Sequence, residues 1–146
     1  MRAFLFPLRR VLNWRNTQLE IEENRLRGLV AVREQLALEA VQLEMAQSRA
    51  EQSVRESAAV WAGDLWALAG YRQRLIAQRA ALAERRKACA QQIETQRQKV
   101  LEAQRQCRLL EKIEERRRGE WQREADRELE TLASESFLTR WNRQAR

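Results

Sequence analysis

Residues 61–70 read WAGDLWALAG. Two glycines and one aspartate stand close together here, in a chain of 146 residues that has only four glycines and one proline. Both residue types are common in turns, because glycine tolerates unusual backbone angles and aspartate bonds to nearby main-chain N–H groups. The stretch therefore predicts a turn at about residues 62–67, with one long segment on either side of it.

The segment before the turn carries leucines at a spacing of seven residues. They form two series, Leu12, Leu19 and Leu26, then Leu29, Leu36 and Leu43. A seven-residue repeat places apolar side chains along one face of a helix and is typical of coiled coils. Pro7 suits the first turn of such a helix, because the N–H that it lacks would have no partner there. We expect a first helix over residues 8–61.

The segment after the turn repeats with the same period in two columns. The columns are Leu65, Arg72, Arg79, Arg86, Ile93, Val100 and Cys107, and Leu68, Leu75, Leu82, Cys89, Gln96, Ala103 and Leu110. They predict a second helix over residues 68–135, followed by a C-terminal tail at residues 136–146. The two cysteines fall on these columns, so we expect small buried side chains rather than a redox switch.

The charges favour antiparallel pairing of the two segments. Residues 17–64 hold nine acids and five bases, whereas residues 72–118 hold six acids and fourteen bases. A chain that folds back near residue 64 brings together residues whose numbers sum to 129, which pairs Leu36 with Ile93. We therefore expect an all-α fold in one domain, with two long helices forming an antiparallel coiled-coil hairpin. The alternative is a parallel homodimer in which each chain is one continuous rod.

The composition argues against an enzyme. The chain has no histidine, and it shows no glycine-rich phosphate loop and no nucleophile placed beside a base. We expect no catalytic residues, no metal and no cofactor. The apolar run near residue 1 is too short for a signal peptide. The most apolar window, residues 57–70, is too short to span a bilayer. These features predict a cytoplasmic protein.

The surplus of basic residues, 28 Lys and Arg against 21 acids, raises the question of nucleic-acid binding. The densest basic runs are residues 85–87 and 116–118, and glutamates flank both. Such runs form either a salt-bridged helix face or a nucleic-acid contact, and the flanking acids favour the first. Residues 1–16 carry four arginines and no acid, which makes them the better candidate for docking on an acidic partner.

Aromatic residues gather in two places. Trp61, Trp66 and Tyr71 crowd the predicted turn, where they either cap the hairpin by packing on each other or form an exposed tip that docks into a partner. Phe137 and Trp141 lie beyond the reach of the first helix. With the leucines near them they form either an interface or a tail that folds back on the chain.

Two segments resemble proteins of the FliJ family. The opening FLFPLRRVL at residues 4–12 is followed by Arg15 and by a group of glutamates, and the late segment LLEKIEERR at residues 109–117 is followed by Trp121. The order of these segments and the length of chain between them are also similar to that family. FliJ is the stalk component of the flagellar type III export ATPase, and the stalk of virulence-type injectisomes is similar in architecture.

The resemblance implies a coiled coil like the γ subunit of rotary ATPases, standing in the pore of a hexameric export ATPase. It implies that the chain promotes assembly of the hexamer, links it to the membrane export gate and handles export chaperones. By the γ analogy, the end with both termini enters the ring and the turn faces the gate. This assigns Arg9, Arg10, Trp121, Phe137 and Trp141 to the ATPase, and Trp61, Trp66 and Tyr71 to the export gate.

Overall fold

The computed structural model describes residues 3–144 and contains two α-helices. Helix α1 is Arg9–Glu56, of 48 residues, and helix α2 is Ala62–Gln144, of 83 residues. The two long helices pack against each other, and no residue between 3 and 144 lies in a strand. The chain forms two compact units. The connection unit is residues 21–101, and the terminal unit joins the described residues up to Glu20 with those from Glu102 onward.

The predicted bounds of the two helices differ from those in the structure. The first helix ends at Glu56 rather than at residue 61, and the connection covers residues 57–61 rather than 62–67. The second helix starts at Ala62 and continues to Gln144, so residues 136–144 are helical and not a separate tail. The glycines that suggested the turn both lie inside α2.

Asp64 explains why α2 starts early. The backbone N–H of Trp61 donates to Asp64 Oδ2 at 3.1 Å, and the N–H of Asp64 donates to the carbonyl oxygen of Trp61 at 3.0 Å. An acidic side chain that accepts from the N-cap N–H is one half of a capping box, and its negative charge also suits a helix N-terminus. Asp64 is therefore a helix-start signal. No glycine in the described residues has a positive φ, so none is needed for a turn.

The core of the connection unit lies between the two helices. Leu36, Leu82, Cys89 and Ile93 are buried together, and five partly buried residues pack against them. These five are Leu26, Leu29, Val30, Ala40 and Leu43. Most of the nine belong to the predicted seven-residue series, so the heptad pattern identified the packed face correctly. We call this face the seam.

The register of the seam differs from the predicted one. Across the connection unit Glu51 pairs with Arg72 at 3.0 Å and Glu39 with Arg85 at 3.3 Å, and Gln96 bonds to Glu22, so partner numbers sum to 123, 124 and 118 instead of 129. The fold-back at residues 57–61, upstream of the expected turn, is the reason. The leucine series marks the packed face of each helix, whereas the position of the connection determines which residues face each other.

In the terminal unit the start of α1 also lies along α2 in the antiparallel sense. Leu12 and Cys107 are both buried, and Arg9 pairs with Glu114 while Arg15 bonds to Gln106. Partner numbers thus fall along α2 as they rise along α1. Apolar burial of this kind contributes roughly 1.5–3 kcal/mol for each large side chain, well above the value of an exposed ion pair.

Candidate partner-binding surfaces

The connection between the helices carries an exposed apolar surface in the connection unit. We name it the connection surface, formed by Val60, Trp61, Leu65 and Trp66. Trp61 and Trp66 are 74% and 81% exposed, and among residues 3–144 no ring contact joins them. Of the two interpretations of these tryptophans, the structure has the exposed tip and not a cap in which the rings pack on each other.

Tyr71, the third aromatic residue expected at this surface, lies at its edge. It is half-buried and lines a groove with Val60 of the connection surface and with Val54 and Leu68. Its partial burial fits the helical spacing, because it precedes buried Leu75 by four residues. Tyr71 therefore supports the packing of the helices near the connection.

The N-terminal residues of the terminal unit fold onto α2. Phe6 precedes Pro7, and a residue before proline avoids the helical conformation, so the helix begins only at Arg9. Phe6 is buried, and the Arg9 guanidinium lies 6.0 Å from the centre of its ring while it pairs with Glu114. Arg10, the neighbouring candidate, is exposed. Arg9 is exposed too, but its guanidinium has a glutamate partner.

Trp121 is partly covered by the same N-terminal residues. The centroids of the Trp121 and Phe4 rings are 6.0 Å apart. The Arg118 guanidinium lies over the Phe4 ring, 5.6 Å from its centroid. Arg118 also pairs with Glu114 at 3.6 Å. This cluster of Phe4, Arg118 and Glu114 was not predicted from the sequence, although two phenylalanines just before a proline are a usable signal for an extended segment that packs on a helix.

The far end of α2 carries the second large apolar surface. We name it the C-terminal surface, and its five large side chains are each more than half exposed: Leu129, Leu132, Phe137, Leu138 and Trp141. Phe137 and Trp141 stack with their ring centroids 6.3 Å apart. The residues expected at the ATPase end thus divide into the N-terminal cluster with Arg9 and Trp121, and the exposed Arg10, Phe137 and Trp141.

Two titratable groups have shifted pKa values. The pKa of Glu51 is lowered from 4.5, chiefly because Gln47 donates to its carboxylate at 3.0 Å and then because Arg72 does the same. The pKa of the Cys107 thiol is raised, first by burial and second by the charge of Glu111. Glu51 lies beside the seam, and Cys107 is buried in the terminal unit. A buried thiol of raised pKa is a poor nucleophile.

The basic runs are tied into ion pairs. Arg85 pairs with Glu39 at 3.3 Å, and in the other run Arg116 pairs with Glu120 at 3.3 Å. Part of the positive charge that suggested nucleic acid is therefore compensated on the helices themselves. Within residues 3–144 no three cysteine or acidic side chains come together to hold a metal ion.

Nothing in the described helices combines the length and the apolar character that a membrane span needs. Comparison with known proteins adds no relative, since no family model, no curated protein and no solved structure matches this chain. The features that a function has to account for are therefore the two exposed surfaces, one in each unit, and the helix packing that holds them.

Proposed function

We propose that this chain is a non-enzymatic stalk of a flagellar type III protein-export apparatus. In this role it binds the hexameric export ATPase, promotes its assembly and activity, and connects it to the cytoplasmic domain of the export-gate protein. It also binds export chaperones. It works in the cytoplasm at the inner membrane and reaches that membrane only through its partners.

The observation that carries the proposal is the pair of exposed aromatic surfaces on two helices that pack along a heptad seam. Tryptophan and phenylalanine are among the residues that anchor protein interfaces, because they bury a large area at a small entropic cost. Trp66 and Trp61 serve one partner in the connection unit. Phe137 and Trp141 serve another in the terminal unit. Two separate docking surfaces suit an adaptor better than they suit an enzyme.

The roles of the individual residues follow from their surroundings. Phe137, Trp141 and Arg10 are free to touch the ATPase, whereas Arg9 and Trp121 order the N-terminal residues against α2. At the connection, Trp61 and Trp66 are available for the export gate.

Two related functions remain as alternatives. The stalk of a virulence-type injectisome would use the same surfaces, and the identity of the cognate ATPase separates the two systems. A nucleic-acid scaffold is less favoured, because Arg85, Arg116 and Arg118 each have a glutamate partner. Nucleic-acid binding would weaken steeply between low and physiological salt.

The test is a pull-down and an ATP-turnover assay with the cognate hexamer. We expect the wild-type chain to bind and to raise turnover, and Phe137→Ala with Trp141→Ala to lower the affinity at least about tenfold, as loss of two anchors should. A matched control is Ile76→Ala with Leu101→Ala, since both side chains are 57% exposed but lie outside the two surfaces. A wild-type chain that neither binds the hexamer nor changes its turnover or oligomerisation contradicts the proposal.

A further inference from the structure

Five residues near the end of α2 form a symmetric pattern. Asp126, Leu129, Ala133, Phe137 and Arg140 are separated by steps of three, four, four and three residues. Such steps keep side chains on one face of a helix, since 3.6 residues make one turn. All five are exposed. The order along the face is acid, apolar, small, apolar and base. In an antiparallel pair of such faces, each acid therefore meets a base and each large apolar residue meets another.

We propose that this face pairs with the same face of a second copy of the chain, antiparallel, with the two-fold axis at Ala133. Under this symmetry Asp126 lies opposite Arg140 of the second copy, and Leu129 lies opposite Phe137. Ala133 faces its own counterpart. An isologous contact uses one patch on both copies and therefore requires this kind of self-complementarity.

The charges along the helix select the antiparallel direction. Near this face Asp126 and Glu130 are the acids before Ala133, and Arg140 is the base after it. Antiparallel pairing places the acidic part of each copy against the basic part of the other, and parallel pairing would place like charges together. Neither Asp126 nor Arg140 has an ion pair within the described residues, so both are free to pair with a second copy.

The sizes of the side chains suit two helices that cross. A small residue at the crossing point lets the helix axes approach to about 8–10 Å, and larger side chains fill the space on either side. Ala133 provides the small residue, with Leu129 and Phe137 one helical turn away on each side. Trp141 stacks on Phe137 and widens the apolar contact.

The size of the face indicates a reversible dimer. About 20 residues of helix are roughly 30 Å long, and two such helices bury less than the area of about 1,200 Å² that marks stable interfaces. We therefore expect dissociation in the micromolar range. The dimer covers part of the C-terminal surface, so it competes with the partner proposed above. It does not depend on that function, since only this chain is needed to form it.

Charge reversal tests the pairing by sedimentation equilibrium of the full chain. Asp126→Arg should weaken the dimer about tenfold or more. The new arginine of each copy would face Arg140 of the other copy, so each dimer would contain two repulsive pairs. Asp126→Arg combined with Arg140→Asp should restore the wild-type affinity. Glu128→Arg is the matched control, because it makes the same charge change on the opposite side of the helix and should leave the affinity within about twofold.

Cysteine cross-linking tests the position of the axis. Two helices at about 8–10 Å bring the Cα atoms at their crossing point within reach of a disulfide. Oxidised Ala133→Cys should therefore form a covalent dimer, whereas Ser134→Cys, turned by about 100° around the helix, should not. The native cysteines Cys89 and Cys107 are buried, so the wild-type chain serves as the negative control for cross-linking. The proposal is overturned by a wild-type mass of one chain up to several hundred micromolar, or by equal cross-linking at both positions.

Discussion

The Gln96 side-chain amide donates a hydrogen bond to the main-chain carbonyl oxygen of Glu22 at 3.0 Å, across the seam of the connection unit. The same amide also donates to the Glu22 carboxylate. Gln96 is the one buried polar side chain among the described residues, and no buried side-chain polar atom there lacks a partner. A single polar residue in an apolar seam fixes the register of a coiled coil at some cost in stability. We expect Gln96 to have this role in the connection unit, together with the connection at residues 57–61.

Gln96→Leu is therefore expected to loosen the register without lowering stability. A leucine at this position adds apolar contact in place of a buried amide, so the free energy of unfolding should stay within about 1 kcal/mol of wild type or rise. The register can be read by cross-linking pairs of cysteines within the chain with a short bifunctional thiol reagent. Glu51→Cys with Arg72→Cys reports the observed register, and Glu51→Cys with Arg79→Cys reports one shifted by a heptad.

In the wild-type background only the first cysteine pair should cross-link efficiently, because Glu51 and Arg72 are in contact. With Gln96→Leu added, the second pair should gain yield. If the yields do not change, the connection at residues 57–61 alone sets the register.

Gly63→Ala and Gly70→Ala should each stabilise the protein by about 0.5–1 kcal/mol. Both glycines lie inside α2, where alanine is the better helix former, and an added Cβ would meet nothing within 4 Å at either position. Denaturant unfolding followed by circular dichroism measures the change. A loss of stability at Gly63 would instead place this residue in a turn, as the sequence pattern first suggested.

Asp64→Ala should destabilise the start of α2 by about 0.5–1 kcal/mol, because it removes the acceptor of the Trp61 N–H and a negative charge at the helix N-terminus. Asp64→Asn separates the two effects, since it keeps an acceptor but not the charge. Thermal unfolding at low and at high salt measures both. If the loss for Asp64→Ala is the same as for Asp64→Asn at every salt concentration, the hydrogen bond contributes nothing.

Glu51 should make part of the stability depend on pH. Its pKa is lowered in the folded chain, chiefly by Gln47 and then by Arg72, so its contribution is present above the unfolded value and is lost as the pH falls through the folded value. The difference in melting temperature between wild type and Glu51→Gln should shrink below about pH 4.5. Glu34→Gln is the control, an exposed acid without an ion pair in the described chain. A difference that stays constant from pH 7 to pH 3 contradicts the assignment.

The heptad pattern predicted the packed faces well, because burial on a helix depends on local periodicity. It placed Leu36 and Ile93 in the seam correctly, and both are buried. It gave the wrong register, because the series marks a face of each helix but not the position of the connection, which lies at residues 57–61. The glycines predicted the turn at the wrong place for a physical reason. Asp64, next to Gly63, favours the start of a helix, and the low helix propensity of glycine is too small a penalty to prevent it.

The surfaces were predicted in part. Exposure of Trp61 and Trp66 was one of two readings open from the sequence, because nothing in a single residue type tells whether two rings meet. The contact between the Phe4 and Trp121 rings was not predicted, because it depends on an extended segment whose sequence has no periodic pattern.

Cys107 should react slowly with alkylating reagents in the folded protein. Burial and the charge of Glu111 raise its pKa, although Arg15 acts in the opposite direction, so little thiolate is present and little of the side chain is accessible. In a Cys89→Ser background, reaction with iodoacetamide at pH 8 isolates this thiol. The rate in the folded chain should be at least about tenfold below the rate in urea, where the pKa of the thiol returns to its ordinary value. Equal rates would mean that the terminal unit opens as fast as the reagent reacts, and that α1 does not hold Cys107 against solvent.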